Sequence, residues 1–141
     1  EDGLIGEIIY ANPEECLLLV KETDVDVLAA ALGSVHGPYK GKPKLGFKEM
    51  KEISRITNIP LALHGGSGIP DDQIQKSIQL GHAKINVNTE CSIAWAQTIR
   101  HMLTNNQELY NPRAILEPAF NAISEVVSEK IELFGSKNRA I

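Results

Sequence analysis

The chain has 141 residues, of which 43% are apolar and 23% are charged, and its formal net charge is −4. This balance excludes an intrinsically disordered chain, because such chains are poorer in apolar residues and richer in charge. No apolar run approaches the roughly 20 residues of a transmembrane helix. The mild acidity gives no electrostatic reason to expect a nucleic acid or a membrane surface as a partner.

The two cysteines, Cys16 and Cys91, are too few for a disulfide framework and both fall in helical patterns among apolar neighbours. We therefore predict buried free thiols in a reducing compartment, with a cytoplasmic location. The sequence begins on a polar Glu1-Asp2-Gly3 without an initiator Met, which is typical of the middle of a loop. We expect the chain to be a fragment.

The first predicted elements are a helix and a buried strand. Asn12 followed by Pro13 is a helix start, since Asn caps and Pro suits the first helical position. That helix reaches about Glu22. Residues 25–32 form an apolar run without two-residue alternation, which predicts a strand buried on both faces. A turn-rich loop, 33–38, follows it.

The same cycle then repeats along the chain. We predict helices at 46–57, from Pro70 to about Leu80, and at 89–103, with buried strands at 59–63 and 83–88. After a loop at 105–112, a final amphipathic helix ends at Gly135. Its apolar face comprises Leu116, Phe120, Ile123, Val127, Ile131 and Phe134. Three buried strands that are each followed by a helix predict parallel βα units.

Polar residues stand at the ends of these strands. His36 and His64 are 28 residues apart, and Asn86 lies 22 further on, with Asn88 close behind. Each gap is one βα unit, so these side chains belong to one rim, the one on which α/β barrels build active sites. The other two histidines, His82 and His101, fit surface or packing positions, and Trp95 is predicted to pack in a helix face.

His36 and His64 each end an apolar strand and each precede a glycine. Two neutral imidazoles on adjacent strand ends can share a divalent metal ion. A catalytic zinc ion needs about three protein ligands, so the chain is at least one ligand short. The alternative is that backbone hydrogen bonds satisfy both rings.

A glycine-rich loop, 65–68, precedes a predicted helix and exposes consecutive backbone N–H groups. Such groups can cradle a phosphate beside the positive end of a helix, although glycine also suits a simple tight turn. Asn88 and Thr89 precede the next helix, where they either bind phosphate or cap the helix. Lys40, in the loop beside His36, fits a solvated lysine.

Three long motifs occur in order along the chain: AALGSVHGPYKG at 30–41, LALHGGSGIP at 61–70 and AKINVNTE at 83–90. Together they resemble the class II, zinc-dependent fructose-bisphosphate aldolase family. The resemblance implies an α/β fold that is the C-terminal half of a TIM (β/α)₈ barrel, with strands six to eight and their helices. Residues 1–141 then form a partial aldolase domain that lacks its N-terminal half.

The resemblance also implies roles for individual residues. His36 and His64 match two of three zinc ligands, while the third histidine and a catalytic aspartate lie outside the chain. Glu1 matches a mobile-loop glutamate that transfers a proton, and Asn86 matches a residue that contacts the enediolate. The resemblance leaves open whether a monovalent cation binds in addition to Zn²⁺. The phosphate-binding set comprises Gly37, Lys40, Gly65, Gly66, Ser67, Asn88 and Thr89.

The implied activity is cleavage of fructose 1,6-bisphosphate to dihydroxyacetone phosphate and glyceraldehyde 3-phosphate, in glycolysis and gluconeogenesis, by a homodimer or homotetramer. Two departures put the substrate in doubt: many relatives have Asp at Asn88, and some have Arg, for the distal phosphate, at Ser92. The alternatives are tagatose 1,6-bisphosphate and the 6-phospho-5-dehydro-2-deoxygluconate of inositol catabolism, whose branch the stretch 81–95 resembles at least as well.

Two readings other than an active enzyme also stay open. One is a truncated, inactive chain that keeps a phosphate cradle and two metal ligands. The other is an unrelated flavodoxin-like binding module. For the isolated 141 residues we predict no aldolase activity.

Overall fold

Helices and short parallel strands alternate in the computed structural model, which describes residues 8–35, 37, 39, 41 and 43–139. The protein is mixed α/β. It divides into two compact units, residues 1–87 and residues 88–141, and each is described separately below.

The first helix, α1 (Pro13–Thr23), begins and ends as its sequence predicts. The side-chain oxygen of Asn12 accepts hydrogen bonds from the backbone N–H groups of Glu14 and Glu15, at 2.8 and 3.2 Å. These bonds satisfy two of the donors that every helix leaves unpaired at its start. The helix closes on Asp24, whose N–H donates to the carbonyl of Val20 and whose left-handed backbone (φ 51°) turns the following chain out of the helix.

The predicted strand at 25–32 is wrong as a continuous, doubly buried strand. Among the described residues it contributes one parallel bridge, between Leu28 and Leu61. Leu28 and Leu32 are buried, whereas Val25 and Val27 are exposed. The segment therefore packs one face only, and a parallel ladder forms just where Leu28 exchanges hydrogen bonds with Pro60 and Ala62.

Two helices and two strands complete the first unit: α2 (Phe47–Thr57), β1 (Leu61–Leu63), α3 (Asp71–Gln79) and β2 (His82–Ile85). β1 pairs with β2 in parallel, with Leu61 opposite His82 and Leu63 opposite Ile85. Parallel pairing requires a crossover, and α3 supplies it. The strands are shorter than the predicted 59–63 and 83–88, but their carboxyl ends meet at one edge, as predicted.

The core of the first unit lies between β1 and the helices. All three β1 residues are buried, as expected for a strand covered on both faces. Met50 and Ile53 of α2 are fully buried, and Ile74 of α3 is nearly so. This packed centre gives the loops after β1 and β2 a rigid base.

The second unit is a pair of helices, α4 (Thr89–Asn105) and α5 (Pro112–Leu133). Asn111 caps α5 by accepting from the N–H groups of Arg113 and Ala114. Ala119 is fully buried, so its small side chain lies where α5 packs most closely. No helix among residues 8–139 that the structure describes is long and apolar enough to cross a membrane.

The amphipathic face predicted for α5 is exposed rather than packed within the described residues. Leu116, Phe120, Val127 and Ile131 are all more than 40% exposed. Trp95 of α4, predicted to pack, is likewise 42% exposed. Cys16 is buried as predicted, whereas Cys91 is only half-buried. Ala119, the buried residue of α5, does not belong to the predicted face, so the prediction of which face packs is wrong for the described residues.

Candidate functional site

The candidate site of the first unit lies at the carboxyl ends of β1 and β2. His64 directly follows β1, and Asn86 directly follows β2. The N–H of Asn86 donates to the carbonyl of Leu63 at 2.9 Å, and the N–H of Gly66 donates to the carbonyl of Asn86 at 3.0 Å. These two bonds continue the parallel pairing past the strands and hold both residues at the predicted rim.

The Asn86 side chain contacts the His64 ring. The amide nitrogen lies 3.1 Å from Nδ1 and 3.3 Å from Nε2 of the imidazole. An amide nitrogen can donate only to an unprotonated ring nitrogen, whereas an amide oxygen would accept from a ring N–H.

A third loop, the one that follows residues 25–32, reaches the same rim. Gly65 has a left-handed backbone (φ 65°), and a Cβ placed on it would collide with the carbonyl oxygen of Val35. Only glycine allows so close an approach in this conformation. Val35, the residue before His36, therefore lies against Gly65, the residue after His64.

Tyr39 ties these two loops together. Its hydroxyl accepts a hydrogen bond from the N–H of Val35 at 3.1 Å and donates one to the carbonyl of Gly65 at 3.3 Å. Burial raises the pKa of the Tyr39 phenol, more than the Val35 N–H lowers it. Sequence reasoning assigned Tyr39 no role, because a tyrosine in a loop carries no signal of a partner 26 residues away.

Contacts with the end of β2 help to hold the glycine-rich loop in place. A Cβ at Gly66 would lie 2.6 Å from Cγ2 of Ile85 and 2.9 Å from the carbonyl oxygen of Asn86, and its N–H is already engaged by Asn86. Gly66 thus allows the loop to pack closely against the end of β2. Ser67 is buried. The following helix, α3, carries Asp71 and Asp72 in its first turn, and these carboxylates offset the positive helix end expected to attract phosphate.

The other predicted site residues are only partly described. Glu1, His36 and Lys40 lie outside the described residues. Gly37 is described, with a positive φ of 84° and open space around the position of a Cβ.

His64 is the one predicted zinc ligand that the described residues contain, and it lies at the end of a strand, as predicted. Among the described residues no group of three or more His, Cys, Asp or Glu side chains can hold a metal ion.

The second unit carries its own polar groove along one face of α4. Asn88 and Thr89 stand at the start of this helix, and Asn88 makes no side-chain capping bond to its first turn. A capping role for Asn88 is therefore wrong. The groove also includes Arg100, which sequence reasoning missed because it stands three turns along the helix. Its lining comprises Asn88, Thr89, Ser92, Ile93, Ala96, Gln97 and Arg100.

A half-buried ion pair fixes the start of α4 against α5. Nζ of Lys130 lies 2.6 Å from a carboxylate oxygen of Glu90, with 19% and 26% of the two side chains exposed. The lysine balances the charge that Glu90 brings beside Asn88 and Thr89, so an anion at this end of α4 meets less repulsion.

The family model described as fructose-bisphosphate aldolase class-II matches residues 1–139. A 6-phospho-5-dehydro-2-deoxy-D-gluconate aldolase from Bacillus licheniformis is 58% identical over 141 residues, which are the whole of this chain and 48% of the relative. A fructose-bisphosphate aldolase from Staphylococcus aureus is 59% identical over 141 residues, or 49% of its length. The chain thus spans about half the length of these curated relatives.

Among solved structures, the YdjI aldolase of Escherichia coli K12 is similar over 94% of this chain and 48% of its own, with 36% identity and a TM-score of 0.79. The likeness in fold therefore extends over both units as each is described above, and again over about half of the matched chain.

Proposed function

The chain belongs to the class II fructose-bisphosphate aldolase family, and we propose that the protein carrying it performs a metal-dependent aldol cleavage of 6-phospho-5-dehydro-2-deoxy-D-gluconate. The observation that carries the proposal is the rim after β1 and β2, where Asn86 contacts the ring of His64. A rim that has an imidazole beside a glycine-rich loop fits a family whose members act on phosphorylated sugars.

The substrate is chosen from the relatives and from Ser92. The Bacillus licheniformis relative is named for this substrate. Its distal end is a carboxylate, whereas fructose 1,6-bisphosphate has a second phosphate there. Ser92, on the groove of α4, stands where some family members carry an arginine for that phosphate. Loss of the arginine favours the substrate that lacks the second phosphate.

Cleavage of this substrate breaks the bond between C3 and C4. A base removes the proton of the C3 hydroxyl, which becomes the aldehyde of a three-carbon semialdehyde. The electron pair of the broken bond passes to C4 and the adjacent C5 carbonyl, and C4 then takes up a proton to give dihydroxyacetone phosphate. When bound, a divalent metal ion supplies the Lewis acidity that polarises this carbonyl.

The described residues bind and orient the metal ion and the substrate, and they do not transfer the proton. His64 serves as a metal ligand, and Asn86 keeps its ring in place by turning its amide so that the oxygen accepts from the remaining ring N–H. The glycine-rich loop brings backbone groups close to the phosphate end of the substrate. The proton-transferring groups are assigned to Glu1, outside the described residues, and to the part of the family domain that this chain does not span.

Cleavage of fructose 1,6-bisphosphate is the second candidate, and the Staphylococcus aureus relative of that name favours it with 59% identity. Identity does not separate the candidates, since the two relatives differ by one per cent. We rank the bisphosphate second because Ser92 supplies no cation for a distal phosphate.

The proposal also covers the fold of the whole protein, its metal ion, its location and its oligomeric state. We place the two units in the C-terminal half of a (β/α)₈ barrel, with a zinc ion as the metal, in a cytoplasmic homodimer or homotetramer. The isolated 141 residues are expected not to turn over, because the metal site needs ligands beyond them.

Product analysis tests the proposed function. The full-length natural polypeptide is incubated with each candidate substrate, and dihydroxyacetone phosphate is detected through a coupled NADH-dependent reductase. We expect a higher kcat/KM for the 2-deoxygluconate phosphate and loss of activity in a chelator. A higher kcat/KM for fructose 1,6-bisphosphate supports the second candidate instead, and chelator-resistant turnover contradicts the metal-dependent chemistry.

A further inference from the structure

We propose that Tyr39 is a positioning residue for the metal-binding rim. Its hydroxyl fastens the loop after residues 25–32 to the loop after β1, and so fixes the backbone that carries His64. The consequence is a higher affinity of the rim for a divalent metal ion. The identity of that ligand rests on the proposed function, whereas the fastening of the two loops does not.

The two hydrogen bonds of Tyr39 join groups that no element of secondary structure holds together. Among the described residues, the segment that ends at Val35 bridges to β1 only at Leu28, seven residues earlier. Gly65 follows His64 on the other loop. The phenol accepts from Val35 at 3.1 Å and donates to Gly65 at 3.3 Å, so a single oxygen spans both loops.

The close approach of the loops does not by itself fix how they are oriented. Val35 lies so near Gly65 that a side chain at position 65 would collide with its carbonyl oxygen. Van der Waals contact of this kind has little directional preference. Hydrogen bonds are directional, and the phenol supplies them at the point of contact.

The chemistry of Tyr39 suits the task. A phenol can accept and donate at once, but a phenolate could not donate to the Gly65 carbonyl. Burial raises the pKa of the phenol, so it stays protonated at neutral pH. The ring lies beside Gly68, where a Cβ would be 3.3 Å from Cδ2 of Tyr39. A phenylalanine at position 39 can therefore keep the ring contact and remove the hydroxyl alone.

Tyr39 affects the affinity for the metal ion through the backbone next to His64. Groups that orient a metal ligand typically change metal affinity by about 10–100-fold when they are removed. Tyr39 acts one step further out, since it holds the carbonyl next to His64 rather than the imidazole itself. We therefore expect the lower end of that range, about 10-fold.

Tyr39→Phe is tested in the full-length polypeptide, with Tyr10→Phe as its matched control. The Tyr10 hydroxyl also donates to a backbone carbonyl, that of Lys44 at 3.1 Å, but this bond does not reach the loop after β1. Zn²⁺ affinity is measured by competition with a chelating dye, which requires no turnover. We expect about 10-fold weaker binding for Tyr39→Phe and binding within about twofold of wild type for Tyr10→Phe. Equal affinities in the two variants would overturn the proposal.

Amide hydrogen exchange of the unmutated protein gives a second test that needs no variant to fold. The Val35 amide, bonded to Tyr39, is expected to exchange at least about 10-fold more slowly than an unprotected amide, and Tyr39→Phe should remove this protection while that of Leu28 is kept. Unprotected exchange of Val35 in the wild type overturns the proposal. His64→Ala with wild-type Zn²⁺ affinity instead contradicts the proposed function, while the comparison of the two tyrosine variants still decides the role of Tyr39.

Discussion

The side-chain amide nitrogen of Asn86 lies 3.1 Å from Nδ1 and 3.3 Å from Nε2 of His64. The two residues come from neighbouring parallel strands and meet at one rim. A ring held in this way loses less orientational freedom when it binds a metal ion, because its direction is already restricted.

Asn86→Ala removes this contact, and we expect it to lower Zn²⁺ affinity about 10–100-fold. The control is Asn105→Ala. The amide nitrogen of Asn105 lies 3.1 and 3.0 Å from the ring nitrogens of His101, in the same kind of pair on α4. Dye competition should show no change in this control. A similar loss in both variants would mean that the effect is not specific to the rim.

Gly65→Ala tests the close approach of the two loops. Alanine there is strained by the positive φ and collides with the Val35 carbonyl. We expect a loss of more than about 2 kcal/mol in the free energy of unfolding, measured by urea denaturation.

Alanine substitutions at two further glycines separate the stability cost of backbone strain from that of steric collision. Gly37 has a positive φ with open space around it, so Gly37→Ala should cost only about 1–2 kcal/mol. Gly41 has open space and no positive φ, so Gly41→Ala should change stability by less than about 0.5 kcal/mol. If Gly65→Ala costs no more than Gly37→Ala, the loops do not approach as closely as described.

Ser92→Arg tests the choice of substrate. A guanidinium at this position can bind a distal phosphate, and a charge-assisted hydrogen bond contributes about 1.5–3 kcal/mol. The ratio of kcat/KM for fructose 1,6-bisphosphate to that for the 2-deoxygluconate phosphate should rise about 10-fold or more. Gln97→Arg, on the same groove of α4, is the control for added charge. An equal rise in both variants argues against a specific role of position 92.

His82 should make the stability of the fold depend on pH. It is buried at the start of β2, and Nδ1 lies 3.1 Å from the carbonyl of Ser77. Nε2 is buried without a hydrogen-bond partner among the described residues. Burial lowers the pKa of His82 from its ordinary 6.5, more than the bond to Ser77 raises it.

The unfolded chain therefore binds more protons than the folded chain as the pH falls below about 6.5. The stability that the neutral ring provides is fully present above that pH and declines below it. Urea denaturation between pH 5.0 and 7.5 should show this decline, and His82→Gln should reduce it while His101→Gln leaves it in place. A wild-type stability that rises as the pH falls through this range would contradict the assignment.

Much of the fold follows from local sequence. Asn12 and Pro13 predicted the start of α1, and the cap is present. The spacing of His64 and Asn86 by one βα unit predicted a shared rim, and the parallel pairing of β1 with β2 produces it. Such features depend on a few adjacent residues or on one crossover, which sequence patterns record.

Other features depend on contacts that local patterns do not record. Residues 25–32 have strand composition, but among the described residues they bridge only at Leu28, since a ladder also requires a partner strand along its length. The apolar face of α5 is exposed although its periodicity is clear. The bond between Tyr39 and Gly65 joins loops 26 residues apart, and nothing in either loop alone predicts it.

The most direct test of His64 as a metal ligand in an aldolase is the kcat/KM of His64→Ala for 6-phospho-5-dehydro-2-deoxy-D-gluconate. It is measured in the full-length polypeptide at a Zn²⁺ concentration that saturates the wild-type protein. We predict a loss of more than about 100-fold, since removing a ligand costs more than removing its orienting partner. His101→Ala, on α4, should keep the wild-type value. A wild-type kcat/KM in His64→Ala would contradict the assignment of His64 to the metal.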